Sequence, residues 1–528
     1  MHASHHPVAV FDAIRALAFI GDLSMGQPTD HSDRVARLAC RIAQAAGMPS
    51  EAVHAVQDAA LLRWSGCTAN AAEVASVFGD DVAGRAAMLA MRPGWSASLA
   101  LHGGTAAALR PLAEIHCEVS GQVAAMLGLP ARVGEILRAV FEAWDGSGNP
   151  RGLRGAEIPP EVFVVVLAGD VEILGRTYGM AQAREIIRGK AQAAYPASLA
   201  DIAIAHADAW LAELDRGGEA TRDESPSRAL QPTPATLRDA PLELIADVID
   251  LKLPWMTGYS RAVATAAAAC ARRMALDDVT MDAVYRAGLI HGIGRAAVPN
   301  AIWNTPGRLS AAAWEKVRLV PYWTARAGKQ TGALADAAEL ASYVYERADG
   351  SGYFRAVGTP AVSQPAQIVA AAVAWVALRC ARPWRGAMPD DEAASLLRGQ
   401  AERGRFDRPI IEALLAGGTG AGAGWSGAAG EAGGAGVGCS GGGGAGIVGV
   451  GGVKDTMDDA ARPDAALLTP RERDVLRAIS VGCTNKEAAR QLALSPSTVR
   501  THVENVFRKL QCTTRAAAIL KASSLGLL

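Results

Sequence analysis

Apolar residues recur at the spacing of a helix face over most of the chain. Val35, Leu38 and Ile42 share one face at a period of about 3.6 residues, and Gly47 follows where the helix would end. The apolar run VFVVVLAG at 162–169 is too short to cross a bilayer, so it predicts a buried segment of helix. No stretch alternates apolar and polar residues over the length of a strand. The pattern therefore predicts an all-α protein.

The helical pattern occurs twice. Three blocks recur in the same order: residues 30–43 over 258–271 and 59–66 over 287–294, both at an offset of 228, and 142–152 over 346–356 at an offset of 204. The change in offset leaves about 24 extra residues in the first copy, near Gly79–His102. Because chance similarity rarely keeps the order of blocks, we expect two tandem helical copies.

Two segments interrupt the pattern. Residues 215–239 are polar and rich in Pro and charge, and residues 417–452 contain 19 Gly among 36 residues. The Gly-rich segment cannot offset its ordering entropy by burying side chains, so we expect a flexible tether spanning roughly 30–36 Å and a loosely held C-terminal unit. The predicted divisions are a first copy at 10–214, a polar linker at 215–239, a second copy at 240–415, a Gly-rich linker at 416–464 and a C-terminal unit at 465–528.

The C-terminal unit carries start signals for four helices. Each start has a Ser or Thr that can cap the first amides, and these are Thr469, Thr484, Ser495, and Thr513 or Thr514. Glu follows three residues after each of the first two caps, which predicts two capping boxes. Gly482 predicts the end of the first helix. The second and third helices are separated by a few residues only, which is the tight connection of a helix-turn-helix.

The third of these helices has one apolar and one polar face. Its apolar positions are Val499, Val503, Val506 and Leu510. Its polar positions are Ser497, Arg500, Thr501, Glu504, Asn505 and Arg508. A solvated charged helix would account for this polarity alone. The short turn, the N-terminal hydroxyls and the local charge together favour contact with DNA.

Charge is divided unevenly along the chain, although the net charge is only −1. From Leu467 onward there are ten Lys and Arg against four Asp and Glu, whereas the rest carries 42 against 49. A basic unit on an acidic body indicates that this unit binds nucleic acid. The eight cysteines include no CxxC pair, and we see neither a signal peptide nor an apolar run of bilayer length. We therefore expect a cytoplasmic protein.

The C-terminal unit closely resembles the LuxR-type helix-turn-helix of bacterial transcription regulators over residues 467–525. The resemblance implies that Pro496–Leu510 is the recognition helix and lies in the major groove. We expect the base-facing residues to be Arg500 and Thr501, with Ser497, Thr498 and Asn505 nearby. We expect the phosphate-binding residues to be Lys486, Ser495, Arg508 and Lys509. Glu504 departs from a basic polar face, and it either accepts from a cytosine amine or weakens binding.

The tandem copies resemble the HD-GYP family, which comprises helical, metal-dependent phosphohydrolases of the HD superfamily. The blocks that carry the resemblance are HSDRVA, LIHGIG, IWNTPGRLSAAAWEKVRLVPYWT, ERADGSGY and QIVAAAVAWVAL. The family's metal positions read His31, Arg63-Trp64, His116, Val140-Phe141 and Gly169 in the first copy. In the second copy they read Tyr259, His291-Gly292, Val320, Val344-Tyr345 and Val373.

Most of the ligand positions therefore carry residues that cannot bind a metal. Val, Phe and Tyr refill the space with apolar volume, and Arg63 would place a cation where metals belong. We interpret His31, His116 and His291 as vestigial, hydrogen-bonded core residues, and we expect no metal, no cofactor and no enzymatic activity. The two DGSG turns retain Asp145 and Asp349, whose carboxylates are expected to bond amides of their own turns.

The combined pattern predicts a transcription regulator that binds double-stranded promoter or operator DNA. Two HD-GYP-like copies would form a sensory, interaction or dimerisation body, with a nucleotide or a protein as their ligand. A homodimer is expected, because such readers commonly bind paired half-sites. The alternative is a cyclic di-GMP phosphodiesterase fused to a DNA-binding unit.

Overall fold

The computed structural model describes residues 6–219, 230–416 and 467–528. Almost all regular structure in these residues is helical, so the all-α prediction is confirmed. Apart from Ala416, the predicted Gly-rich linker lies outside the described residues, as do residues 220–229 of the polar linker. Within the described ranges, no helix is both long enough and apolar enough to cross a membrane.

The helices of the first copy include the apolar helix α8, which contains the predicted buried run. They are α1 (Val10–Ser24), α2 (His31–Ala45), α3 (Ser50–Leu62), α4 (Ala71–Phe78), α5 (Asp81–Leu89), α6 (Thr105–Met126), α7 (Ala131–Arg138), α8 (Pro160–Tyr178), α9 (Met180–Lys190) and α10 (Ala197–Glu219). The predicted face of α2 is buried at Val35, Leu38 and Ile42, and Gly47 follows with φ +73°.

The second copy and the C-terminal unit continue the helical chain. Helices of the second copy are α11 (Glu243–Asp250), α12 (Tyr259–Arg273), α13 (Asp278–Ile290), α14 (Asn300–Trp303), α15 (Ala311–Arg318), α16 (Val320–Gln330), α17 (Ala335–Ala341), α18 (Gln364–Arg379), α19 (Asp390–Glu402) and α20 (Arg408–Leu415). Those of the C-terminal unit are α21 (Pro470–Ser480), α22 (Asn485–Gln491), α23 (Pro496–Leu510) and α24 (Arg515–Ser524).

The two copies contain equivalent hydrogen bonds at equivalent positions of the predicted repeat. Asp22 at the end of α1 accepts bonds from the backbone amide (3.0 Å) and hydroxyl (2.6 Å) of Ser32. Asp250 at the end of α11 accepts the same two bonds from Ser260, at 2.8 and 2.7 Å. Both pairs are related by the offset of 228 that the sequence blocks show. The repeat is therefore structural, while its outer boundaries remain a prediction.

A second set of repeated bonds follows the offset of 204. Glu142 accepts from the backbone amides of Arg151 and Leu153, both at 2.9 Å. Glu346 accepts in the same way at 2.7 and 3.2 Å, from the amides of Arg355 and Val357. Each buried carboxylate thereby fixes the loop that follows a DGSG turn.

The described end of the predicted polar linker is packed rather than loose. Thr233 is 2% exposed and donates to Asp58 on α3 (2.9 Å), and Gln57 donates to the carbonyl of Gln231 (2.8 Å). Strand β1 (Pro7–Ala9) then pairs antiparallel with β2 (Asp239–Pro241). Residues 230–239 of the predicted polar linker are therefore packed on the first copy, because short polar side chains satisfy buried partners there.

The C-terminal unit packs against both copies. Helix α24 lies against α6 and α11, and the unit belongs to the same continuous apolar core as the copies. Hydrogen bonds join the backbone amide of Thr513 to Glu118, Ser523 to Asp247 (2.9 Å) and Thr257 to the carbonyl of Ser480 (2.8 Å). The expectation of a loosely held unit is therefore wrong for residues 467–528, since the composition of a linker does not reveal what its two ends contact.

Candidate nucleic-acid interface and the aligned metal positions

The four helices of the C-terminal unit begin at the predicted caps. Thr469 and Thr484 both form complete capping boxes, in which Glu472 and Glu487 accept a bond from the backbone amide of the cap residue. Ser495 caps α23 by accepting from the amide of Thr498 (3.0 Å), and Thr514 caps α24. These caps fix the start of each helix and place α22 and α23 around a short turn.

The apolar face of α23 forms the core of the unit and leaves the polar face outward. Val499 and Val506 are fully buried, and Val503 and Leu510 are 7% and 1% exposed. Ser497, Arg500, Thr501, Glu504 and Arg508 are all exposed. The polar face that the sequence predicts is therefore a free surface within the described residues, although the helix belongs to a unit that is docked on the body.

Arg500 does not stand alone on this face. Its guanidinium Nε lies 2.9 Å from Glu504 Oε1, one turn along the helix, and both side chains are mostly exposed, at 76% and 62%. Ion pairs of this kind are weak in water. Glu504 thus competes with any hydrogen-bond acceptor on DNA for Arg500. Of the two roles that the sequence leaves open for Glu504, this contact is the one expected of a residue that weakens binding.

The remaining predicted contact residues divide into free and engaged groups. Lys486 is exposed, Thr501 donates to the carbonyl of Ser497 (3.2 Å), and Arg508 lies 3.4 Å from the side-chain oxygen of Asn505. Lys509 instead donates to Glu472 (2.7 Å), whose side chain is 5% exposed. Lys509 therefore links α23 to the capping box at the start of α21.

In the first copy, a guanidinium lies beside His31, the first residue of α2. Arg63 donates from Nη2 to His31 Nε2 (2.5 Å), and His31 Nδ1 donates to Glu172 Oε2 (2.6 Å). Burial lowers the pKa of His31 to about 4, so the ring is neutral at physiological pH. Burial would raise the pKa of Glu172, but the bond from His31 and the charge of Arg176 lower it to about 2. We call His31, Arg63 and Glu172 the first-copy centre.

The second copy builds a similar pair from another position. Arg295 donates from Nη2 to His291 Nε2 (2.5 Å), and His291 Nδ1 donates to the carbonyl of Gly288 (2.6 Å). Arg295 also lies 3.5 Å from Asp250 and 4.9 Å from the ring centre of Tyr259. At the offset of 228, His291 aligns with Arg63, so the two arginines come from different positions of the repeat. We call Asp250, Tyr259, His291 and Arg295 the second-copy centre.

Two glycines make room for these arginines. A Cβ on Gly292 would lie 2.5 Å from Arg295 Nη1, and a Cβ on Gly169 would lie 2.1 Å from Arg63 Nη1. Both glycines stand at positions where the HD-GYP resemblance expects an Asp. With each guanidinium in its present position, no side chain fits at either glycine.

The other aligned ligand positions are occupied by core contacts. His116 is 1% exposed and donates from Nε2 to the carbonyl of Arg63 (2.7 Å), and burial lowers its pKa to about 4. The hydroxyl of Tyr259 donates to the carbonyl of Val373 (3.1 Å), which joins two aligned ligand positions directly. His31, His116 and His291 bond within their own copies, so the structure assembles no composite site from them.

The donor set does not fit the metals of the resembled family. Over residues 6–219, 230–416 and 467–528, no group of three or more His, Cys, Asp or Glu converges to hold a metal ion. Two permanently cationic guanidinium groups, instead of two carboxylates, lie beside His31 and His291. We therefore derive no catalytic step through a metal.

The glycine turns have the predicted geometry. Asp145 accepts from the amide of Ser147 (2.8 Å), and Asp349 accepts from the amide (2.9 Å) and hydroxyl (2.6 Å) of Ser351. Gly146 has φ +85°, which a residue with a side chain rarely adopts. These bonds lie within the turns and lower the pKa of both carboxyls.

Three residues of the two centres escaped the sequence reasoning. Glu172 and Arg295 lie outside the resembled motif, and no periodicity marks an Arg that folds back onto a His one turn earlier. Asp250 left a signal, because Asp-Leu occurs at 22–23 and at 250–251 at the same offset of 228. A search for shared polar pairs within the repeat would have found it.

Comparison with known families assigns the second copy and the C-terminal unit. Residues 243–410 match the family described as HD domain, and residues 466–522 match the luxR family of bacterial regulatory proteins. The chain joins an HD domain to a luxR-family domain. The predicted recognition of both is confirmed, and the region before the HD domain resembles HD-GYP phosphodiesterases.

Relatives differ for the two parts of the chain. The 3'3'-cGAMP-specific phosphodiesterase 3 of Vibrio cholerae is 26% identical over 408 residues, which cover 71% of this chain and 87% of that protein. The probable csgAB operon transcriptional regulatory protein of Salmonella typhimurium is 41% identical over 56 residues, 11% of this chain and 26% of that one. The HD-containing body and the luxR-family domain thus resemble proteins of different classes.

A solved structure supports the fold of the body. The crystal structure of a cyclic GMP-AMP specific phosphodiesterase of V. cholerae superposes with a TM-score of 0.53 and 22% identity, covering 78% of this chain and 98% of that one. At this identity the likeness establishes the fold alone. It agrees with the helical architecture of both copies.

The prediction that the chain is not an enzyme is wrong. A relative over most of the chain is named a phosphodiesterase, and replaced ligands at aligned positions do not by themselves establish inactivity. The geometry of the two arginines describes what the HD-containing body holds in place of the expected ligands.

Proposed function

We propose that this protein is a sequence-specific regulator of transcription that reads double-stranded DNA with α23. The observation that carries the proposal is the exposed polar face of α23 in a luxR-family domain, set against an apolar face that is buried in the unit's own core. A helix with this division can enter the major groove without unfolding the unit. Action on chromosomal DNA would bring the protein to the nucleoid.

The contact residues are proposed with separate roles. Arg500 and Thr501 face base edges, with Ser497, Thr498 and Asn505 beside them. Lys486, Ser495 and Arg508 lie toward phosphates, which give affinity and salt dependence without reading sequence. Lys509 is the least available of the proposed set, because it already holds Glu472.

The HD-containing body is proposed to act as a sensory, interaction or dimerisation module. Two copies of this protein would present two α23 helices to paired half-sites, and a nucleotide or protein would bind the body. Sedimentation of the full chain with and without operator DNA measures the stoichiometry. A single chain on a single half-site would contradict the dimer.

The deciding experiment is a selection of DNA fragments by the full chain, followed by binding measurements on the enriched sequence. Arg500→Ala should lower affinity for that sequence by about 1–3 kcal/mol and relax the choice of base. Arg477→Ala removes the same charge from α21 and is the matched control. No enriched sequence, or equal losses in the two variants, would contradict the proposal.

A second candidate function is hydrolysis of a cyclic dinucleotide, and the similarity to a named 3'3'-cGAMP phosphodiesterase favours it. The assay supplies 3'3'-cGAMP or cyclic di-GMP with Mn²⁺ or Fe²⁺ and measures both turnover and bound metal. Turnover that persists in Arg500→Ala would establish an activity separate from DNA reading. Absence of turnover with every metal and substrate would leave the body without this function.

A further inference from the structure

The luxR-family domain is held by three residues of the body, two of which lie close in the chain to the second-copy centre. Its docking face on the body consists of Glu118 on α6, Asp247 on α11, and Thr257 just before α12. These residues bond, in turn, Thr513, Ser523 and Ser480 of the domain. The contact uses α24 and the end of α21, which leaves the polar face of α23 exposed.

Helix α11 connects the second-copy centre to the domain within one turn. Asp250 at its end accepts from Ser260 and lies 3.5 Å from Arg295. Asp247, one turn earlier, accepts from Arg261 (2.7 Å) and from Ser523 (2.9 Å) with the same carboxylate oxygen. Both carboxylates are at most 4% exposed, so neither is screened by bulk water.

Copy one has no such connection at the equivalent place. Position 19, which aligns with Asp247 at the offset of 228, is Phe19, a 2% exposed apolar residue. Asp22 and Ser32 nevertheless repeat the bonds of Asp250 and Ser260. The two copies therefore share the polar pair at the helix junction and differ in the residue that contacts the domain.

We propose that α11 couples the second-copy centre to the luxR-family domain, so that a change at Arg295 or Asp250 alters how firmly α24 is docked. A ligand or partner that binds the second copy would act on DNA reading through this contact. The polar face of α23 stays exposed while α24 is docked. Docking therefore sets where α23 lies on the body and does not cover that polar face. The effect of this coupling on DNA reading rests on the proposed function. The docking of the luxR-family domain on the body does not.

The docking contact is tested first, by hydrogen exchange of α24 in the full chain without DNA. Ser523→Asp places a second carboxylate beside Asp247. Exchange in α24 should rise at least fivefold, because two like charges near 4 Å cost roughly 1 kcal/mol even in water and Asp247 is buried. Ser524→Asp adds the same charge at an exposed neighbour and is the matched control. Equal exchange in the two variants would overturn the docking contact.

The coupling is tested with a mild pair of variants. Ser260→Ala removes one bond to Asp250, and Ser32→Ala removes the equivalent bond to Asp22 in the first copy. Faster exchange in α24 is expected for Ser260→Ala alone, with circular dichroism confirming that both variants remain folded. Equal effects from the two variants, or no effect from either, would overturn the coupling. Failure of the full chain to select any DNA would overturn the proposed function and leave these exchange results standing.

Discussion

Asp81 and Lys252 form an ion pair at 2.8 Å whose side chains are 0% and 1% exposed. Asp81 lies on α5, within the extra segment of the first copy, whereas Lys252 follows α11 of the second. The other oxygen of Asp81 accepts from the backbone amide of Asn300 (2.7 Å), and Asn300 donates its side-chain amide to the carbonyl of Lys252 (2.9 Å). The extra segment thus joins the two copies through a fully bonded carboxylate.

Breaking this pair should destabilise the contact between the copies. Asp81→Ala leaves a buried ammonium without a partner, and a loss of about 3–5 kcal/mol in unfolding free energy is expected. Thermal unfolding followed by circular dichroism measures it. Lys316→Ala breaks the exposed pair with Asp80 (3.8 Å) nearby and should change little. Equal melting shifts for the two variants would argue against the pair as the joint.

Filling the space at Gly292 should displace Arg295. Gly292→Ala puts a Cβ where the guanidinium lies, and that group is 2% exposed and bonded to His291. We expect a loss of about 1–3 kcal/mol, the usual effect of overpacking a core. Gly332→Ala is the control, since a Cβ there meets nothing within 4 Å. An unchanged urea midpoint for Gly292→Ala would contradict the position of Arg295.

Buried carboxyls predict a fall in stability above neutral pH. Burial raises the pKa of Asp22 to about 8 and that of Asp250 to about 7, so the folded chain holds protons that the unfolded chain releases. Their stabilising contribution is present below the unfolded pKa and is lost as pH rises through these values. Burial lowers the pKa of His31 and His116 to about 4, and their contribution is lost as pH falls from the unfolded value of 6.5 toward 4.

The two effects oppose each other in acid, and only the carboxyls act above about pH 6.5. The urea midpoint of the full chain should therefore decrease between pH 6.5 and about 8. Asp22→Asn should reduce the slope of this decrease over the whole interval. Asp250→Asn should reduce the slope only below about pH 7, where Asp58, whose pKa burial also raises to about 7, contributes too. A midpoint that stays level in the native chain across this interval would show that the carboxyls are already ionised in the fold.

Removing the intrahelical partner of Arg500 should strengthen DNA binding. Glu504→Gln keeps the shape of the side chain, frees Arg500 and removes a negative charge that faces DNA. Affinity for the selected sequence should rise, by about 0.2–1 kcal/mol if only an exposed pair is lost. Filter binding at two salt concentrations measures it. A drop in affinity confined to sites with one particular cytosine would mean that Glu504 reads that base.

The sequence alone determined features that depend on local physics. Helix caps at Thr469, Thr484 and Ser495, the apolar face of α23 and the Asp turns are all set by residues within one or two turns of each other, and all are confirmed. The tandem repeat was also visible, because helices with the same partners keep the same apolar spacing.

Tertiary structure alone decided the features that join distant residues. No local pattern places Arg63 against His31, pairs Asp81 with Lys252, or brings Ser523 to Asp247. Those contacts depend on buried charge being satisfied between elements far apart in the chain, and only the packed fold brings such partners within a few ångströms. The same reason made the C-terminal unit look loosely held, since its docking residues carry no signal of their own.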